Sequence, residues 1–318
     1  VPRRSQPVAE LVEQARAGQK RAVARLISLV EDASPQLREV SAALAPHAGG
    51  AHVVGITGAP GVGKSTTTSA LVTAFRRTGA RVGVLAIDPS SPFTGGALLG
   101  DRVRMGDHAT DDGVYIRSMA TRGHLGGLSW ATPQAVRVLD AAGCDVVLVE
   151  TVGVGQSEID IVSSADTSVV LMAPGMGDGI QAAKAGILEI GDVFVVNKAD
   201  REGAATTRRE LRSMLSLGQR RDESWKPPVL MTVASEGEGV DEVVEAVRAH
   251  HASMTESGEL VRRRTERARR EVEAIALVEV QRRLGAVGED DALRRLADDV
   301  VAGRRDPYAA ADELVAGL

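Results

Sequence analysis

The segment Gly58-Ala59-Pro60-Gly61-Val62-Gly63-Lys64-Ser65 constrains the fold more than any other stretch of the chain. It fits the pattern G-x-x-x-x-G-K-[ST] in full. It also stands between an apolar β-branched run, Val53–Thr57, and a helical pattern, Ser65–Arg77. A strand that turns into a helix through such a loop aims many backbone N–H groups at one point. Glycines 58, 61 and 63 let those amides turn inward with no Cβ in the way. The helix N-terminus adds the positive end of its dipole. The loop, with Thr66 at its edge, therefore reads as a cradle for the phosphates of a nucleotide. Lys64 supplies a point charge for the β- and γ-phosphates, and Ser65 offers a hydroxyl to magnesium.

The runs that resemble Val53–Thr57 set the fold class. They are Val82–Ile87, Val114–Ser118, Val146–Val149, Thr167–Ala173, Val193–Val196 and Val229–Val233. Each is mostly apolar on both faces, the pattern of parallel strands covered by helices. Helical patterns at Pro133–Ala142, Thr206–Leu217 and Asp241–His250 lie between or after them. The expectation is an α/β P-loop NTPase, a three-layer sandwich with a mostly parallel central sheet. Aromatic residues make up only 2% of the chain, so the core must be built from Val, Leu, Ile and Ala.

Two flanks depart from this rhythm and suggest three regions. Residues 1–48 read as a helical N-terminal extension that packs on the core through Val8, Leu11, Val12, Val23, Leu26, Ile27 and Val30. Residues 49–257 form the nucleotide domain. Residues 258–318 are again helical and heavily charged. Val272, Ile275 and Ala276 make one apolar face there, extended by Leu277, Val280 and Leu284. Two short helices, Asp291–Val301 and Pro307–Leu314, follow.

Asn197-Lys198-Ala199-Asp200 ends the strand Val193–Val196 and has the N-K-x-D form of guanine-specific NTPases. The Asp200 carboxylate can accept two hydrogen bonds, from guanine N1–H and N2–H. Adenine lacks that donor pair, and a site built on such pairing discriminates by about 10⁴–10⁵. Asn197 would fix the loop and the Lys198 stem would cover the base. Thr232-Val233-Ala234, after the last strand, is placed to offer a backbone N–H to guanine O6. The expected ligands are thus GTP and GDP.

The strand Val146–Val149 ends in Glu150, and Glu150-Thr151-Val152-Gly153 occupies the position where small GTPases carry Asp-x-x-Gly. Glu150 suits a contact with Mg2+ through water, and Gly153 lets the backbone approach the γ-phosphate. Asp88, in Asp88-Pro-Ser-Ser-Pro92, ends the second strand on the same side. Magnesium keeps several waters and takes few direct protein ligands. Catalysis is expected to rest on Lys64, Glu150 and Gly153. Where Ras-like proteins place a water-orienting Gln after Asp-x-x-Gly, this chain has Val154, with Gln156 two residues on. Slow intrinsic hydrolysis, dependent on a partner or a loop closure, is the expectation.

Taken together, Gly58–Ser65, Asp88-Pro-Ser-Ser-Pro92, Thr121-Arg-Gly-His-Leu-Gly-Gly127, Glu150-Thr-Val-Gly-Val-Gly-Gln156-Ser-Glu158 and Asn197–Asp200 resemble the MeaB/ArgK family. That family includes the human protein linked to cobalamin type A methylmalonic aciduria. The resemblance runs from about residue 5 to the end. It implies a homodimeric P-loop GTPase that chaperones adenosylcobalamin-dependent methylmalonyl-CoA mutase, gating cofactor loading and protecting or reactivating the enzyme. It also implies magnesium ligands at Asp88, Asp101 and Glu150 beside Ser65, a dimer contact in the C-terminal helices, and a further switch at Gly175–Lys184 that relays the nucleotide state to the mutase, with Asp178 and Lys184 as its candidate residues. Two other readings stay open: a nickel-insertion metallochaperone GTPase, which needs a His- or Cys-rich metal segment, and a kinase linked to basic amino-acid transport.

Composition excludes other classes. A net charge of −5 and few aromatics argue against nucleic acid as a partner. No apolar run approaches the length of a membrane span. The single Cys144 rules out an intramolecular disulfide and a cysteine-rich zinc site, and reads as a small buried residue in a cytoplasmic protein.

Overall fold

A computed structural model describes residues 6–32, 34–88, 106–108, 110–120, 131–151, 164–175, 191–217, 225–289 and 292–316. The chain divides into two compact units, Val1–Leu260 and Val261–Leu318.

The first unit is built on a sheet of seven strands: β1 (His52–Gly58), β2 (Val82–Asp88), β3 (Val114–Ala120), β4 (Val146–Thr151), β5 (Thr167–Met172), β6 (Val193–Asn197) and β7 (Val229–Thr232). Their order is β3-β2-β4-β1-β5-β6-β7, and every pairing is parallel. β1, β4, β5 and β6 are buried along their whole length, the state that a run apolar on both faces demands.

Helices cover both faces. On one lie α1 (Val8–Arg16), α2 (Lys20–Glu31), α3 (Leu37–Leu44), α5 (Thr132–Ala141) and, over β5–β7, α6 (Ala204–Leu217); on the other lie α4 (Lys64–Arg77) and α7 (Val240–Glu256). Val8, Leu11, Val12, Val23, Leu26, Ile27 and Val30 all enter the first core, with Leu85, Val147 and Val149 of the sheet. The N-terminal helices therefore bury their apolar stripe on the sheet. The second core sets Leu71, Val72 and Phe75 of α4 beside Val243, Val244 and Val247 of α7. α6 packs Ala204 and Leu211 against Val170, Phe194 and Val196 in a third cluster.

The second unit is helical, with α8 (Glu259–Glu289), α9 (Ala292–Val301) and α10 (Pro307–Ala316). On α8, Val272, Ile275, Leu277 and Val280 are exposed. Arg269 and Arg270 both reach Glu266, at 2.8 and 3.1 Å. Among the described residues no helix is long and apolar enough to cross a membrane.

Candidate nucleotide-binding site

The order of the strands brings the motifs together. β1 lies between β4 and β5, so the loop after β1 sits over the carboxyl ends of the strands where the sheet order reverses, a place where α/β sheets bind ligands. Ile56 pairs in register with Glu150, so β4 delivers its last carboxylate beside the loop. Asn197 pairs with Thr232, which sets the start of the N-K-x-D turn beside the end of β7.

The loop depends on glycine at two close approaches. Gly58 has φ +145°, and a Cβ there would lie 2.3 Å from the Leu171 carbonyl oxygen of β5. Gly63 has φ +98° and precedes the first residue of α4; its Cβ would lie 2.5 Å from Asn197 Nδ2. Neither position accepts a side chain without moving a strand or the base loop. Lys64 is buried, and its ammonium donates to the carbonyls of Gly58 at 2.6 Å and Ala59 at 3.1 Å. Thr67 and Thr68 donate back to the carbonyls of Gly63 and Lys64 within their own helix, whereas Thr66 is exposed.

The Ser65 hydroxyl donates to Glu150 Oε1 at 2.6 Å. Glu150 is only 3% exposed, so this carboxylate is held at the floor of the site. A hydroxyl and a carboxylate brought together at a helix N-terminus are hard oxygen donors of the kind Mg2+ takes, and their small number suits an ion that keeps most of its waters. The donor chemistry thus fits magnesium. Asp88 ends β2, the strand next to β4, and Ala86 two residues before it pairs with Glu150. Asp101, Gly153, Gln156, Asp178, Lys184 and Arg122–Gly127 lie outside the described residues.

Asn197 is the hub between the two halves of the site. Its amide donates to the Val62 carbonyl at 2.8 Å, and its carbonyl oxygen accepts from Thr232 Oγ1 and from the Ala234 N–H, both at 3.1 Å. Lys198 adopts the left-handed backbone, φ 57°, and its ammonium donates to the Gly61 carbonyl at 2.7 Å. The aliphatic stem thereby lies over the loop, while Asp200 is exposed. Sequence reasoning named these residues but missed what Thr232-Val233-Ala234 does within the protein. Val233 N–H donates to the Glu238 carbonyl and Ala234 N–H to Asn197, so the turn orients the asparagine. Nothing in a local pattern could have revealed a contact between residues 62 and 197.

Comparison with known proteins gives consistent matches. The family model for the methylmalonyl-CoA mutase-associated GTPase MeaB matches residues 23–289. A protein of Pyrococcus horikoshii named as a GTPase is 50% identical over 309 residues, 96% of this chain and 97% of its own length. The mitochondrial methylmalonic aciduria type A homolog of Mus musculus is 41% identical over 214 residues, covering 66% of this chain and 52% of that protein. Among solved structures, one described as a LAO/AO transport system kinase superposes with a TM-score of 0.72 at 29% identity, covering 97% of this chain and 96% of that one.

Proposed function

Because this chain belongs to the family of methylmalonyl-CoA mutase-associated GTPases, we propose that it couples GTP hydrolysis to the loading, protection and reactivation of an adenosylcobalamin-dependent methylmalonyl-CoA mutase. It is a GTPase by family, and the residues of the site divide the work. The loop amides and the N-terminus of α4 hold the phosphates. Lys64 leaves the carbonyls of Gly58 and Ala59 to meet the β- and γ-phosphates, exchanging neutral acceptors for charged ones. Ser65, Glu150, Asp88 and Asp101 would hold magnesium, which would supply neutralisation of the phosphate charge. Gly153 lets the chain approach the γ-phosphate. Asp200 reads guanine N1–H and N2–H, and Asn197 keeps the base turn in register with the loop.

The observation that carries this reading is the Asn197 hub, which joins phosphate cradle and base turn into one site. The position after Gly153 is Val154, which cannot orient water, so hydrolysis by the protein alone is slow and the partner supplies what is missing. The exposed apolar side chains on α8 support a homodimer made through the C-terminal helices. The test is GTP turnover by the purified protein with and without methylmalonyl-CoA mutase from the same organism. A slow rate that rises at least tenfold with the mutase is expected, on the scale that supplied catalytic groups give. An unchanged rate with no complex formed removes the mutase as partner and leaves the GTPase.

A further inference from the structure

The terminal strand of the sheet borders a cavity of about 300 Å³ that the nucleotide site does not use. Its walls include the consecutive residues Val114, Tyr115, Ile116 and Arg117 of β3. Successive side chains of a strand point to opposite faces. A cavity touching all four therefore follows the strand's edge and does not sit over one face. Helix α2 forms one wall with Val23 and Ile27.

The hydrogen-bonding state of that edge follows from register. Val82 N–H donates to the Gly113 carbonyl, so residues 113, 115 and 117 face β2. Ile116 and Ser118 then turn their N–H and C=O groups outward, and the described residues give them no partner there. The Ser118 hydroxyl is itself buried without a hydrogen-bond partner. An open row of this kind is a template for another strand.

Charge selects the occupant. The chain carries a net charge of −5, yet the described lining has Lys20, Arg21 and Arg117 and no acid. Arg117 is paired with Glu31, and Lys20 lies 3.8 Å from Asp112. Arg21 is exposed, with no ion pair among the described residues. We propose that the open edge of β3, beside α2, docks an extended acidic segment of a partner protein by strand addition. Backbone hydrogen bonds to Ile116 and Ser118 would give the pairing, and Arg21 and Lys20 the choice of sign.

The probe is a fluorescent six-residue peptide of alternating valine and glutamate, titrated onto the full chain, with the lysine counterpart as control. Binding of the acidic peptide alone is expected, with slowed hydrogen exchange at Ile116 and Ser118. Arg21→Glu should weaken it about tenfold, as loss and reversal of a steering charge does. Ile116→Pro removes an outward donor but no bond to β2, so it should abolish binding while GTP hydrolysis stays unchanged. Binding that survives Ile116→Pro, equal binding of the lysine peptide, or no binding at millimolar peptide each overturns strand addition. If Ile116→Pro fails to fold, the exchange protection and Arg21→Glu decide.

Discussion

One side chain joins the two halves of the site. The Asn197 amide bonds the Val62 carbonyl while its oxygen holds Thr232 and Ala234. It is 3% exposed, so its removal leaves several groups unsatisfied in a buried place. Unmet buried hydrogen bonds cost about 1–3 kcal/mol each. Asn197→Ala is therefore expected to lower GTP and GDP affinity by about 10- to 100-fold in calorimetric titration. Affinities within twofold of the parent would show that the hub is dispensable. At this scale much was readable in advance. Lys64, Ser65 and Glu150 stand in short patterns whose neighbours decide their role. The Asn197–Val62 contact joins residues 135 positions apart, and no local pattern encodes such a distance.

Elements were legible wherever burial is two-sided. β1, β4, β5 and β6 show as β-branched runs because no face of them meets water. Their ends were less so. β4 extends to Thr151 past the expected Val149, because the polar Glu150 and Thr151 are buried too. α7 runs on to Glu256, past the expected end at His250, because His250 is buried and bonded through Nδ1 to Thr167 at 2.9 Å. A buried imidazole has the look of a surface residue in a hydropathy pattern. The order of the strands could not be read at all, since it is fixed by crossovers and not by composition. Another link between elements predicts a pH effect. The Arg76 guanidinium of α4 forks onto Asp111 at 2.9 and 3.0 Å, near the start of β3. That hydrogen bond, then the Gly113 amide, holds the Asp111 carboxyl below the usual carboxylate range. A carboxyl depressed by folding stabilises the fold above its unfolded pKa and ceases to as pH falls through the folded value. The pair is partly exposed, so its worth is on the order of 1 kcal/mol. Asp111→Asn should lower the unfolding free energy by about that much at pH 7, and the gap to the parent should close in acid denaturation as pH falls through and below the usual carboxylate range. A constant gap across the range would assign the effect to shape and not to charge.

For the molecule as a whole, the first unit offers a built-in reporter of unfolding. Cys144 is 3% exposed between β4 and the core under α5, and burial pushes its thiol up to about 12. At pH 8 the thiolate fraction is then on the order of 10⁻⁴, and a thiolate is the reactive form. A disulfide reagent should leave the native protein unlabelled for hours and label it at once in denaturant. Saturating GTP should slow labelling further, because a ligand that binds only the folded state shifts the unfolding equilibrium. Rapid labelling of the native chain would mean that this core opens locally.

Consider finally the loop glycine that abuts Asn197. Since Gly63 and Asn197 occupy adjoining space, the proposed receptors for the two ends of a guanine nucleotide are packed and hydrogen-bonded against each other. Their mutual orientation is set when the chain folds and not when the ligand arrives. A guanosine and a triphosphate offered separately would each meet a formed half-site, and the covalent bond between them in GTP would act as a tether of high effective concentration. The affinity of the intact nucleotide should then far exceed what either fragment achieves alone, and loosening the hub should erode that advantage more than it weakens either fragment.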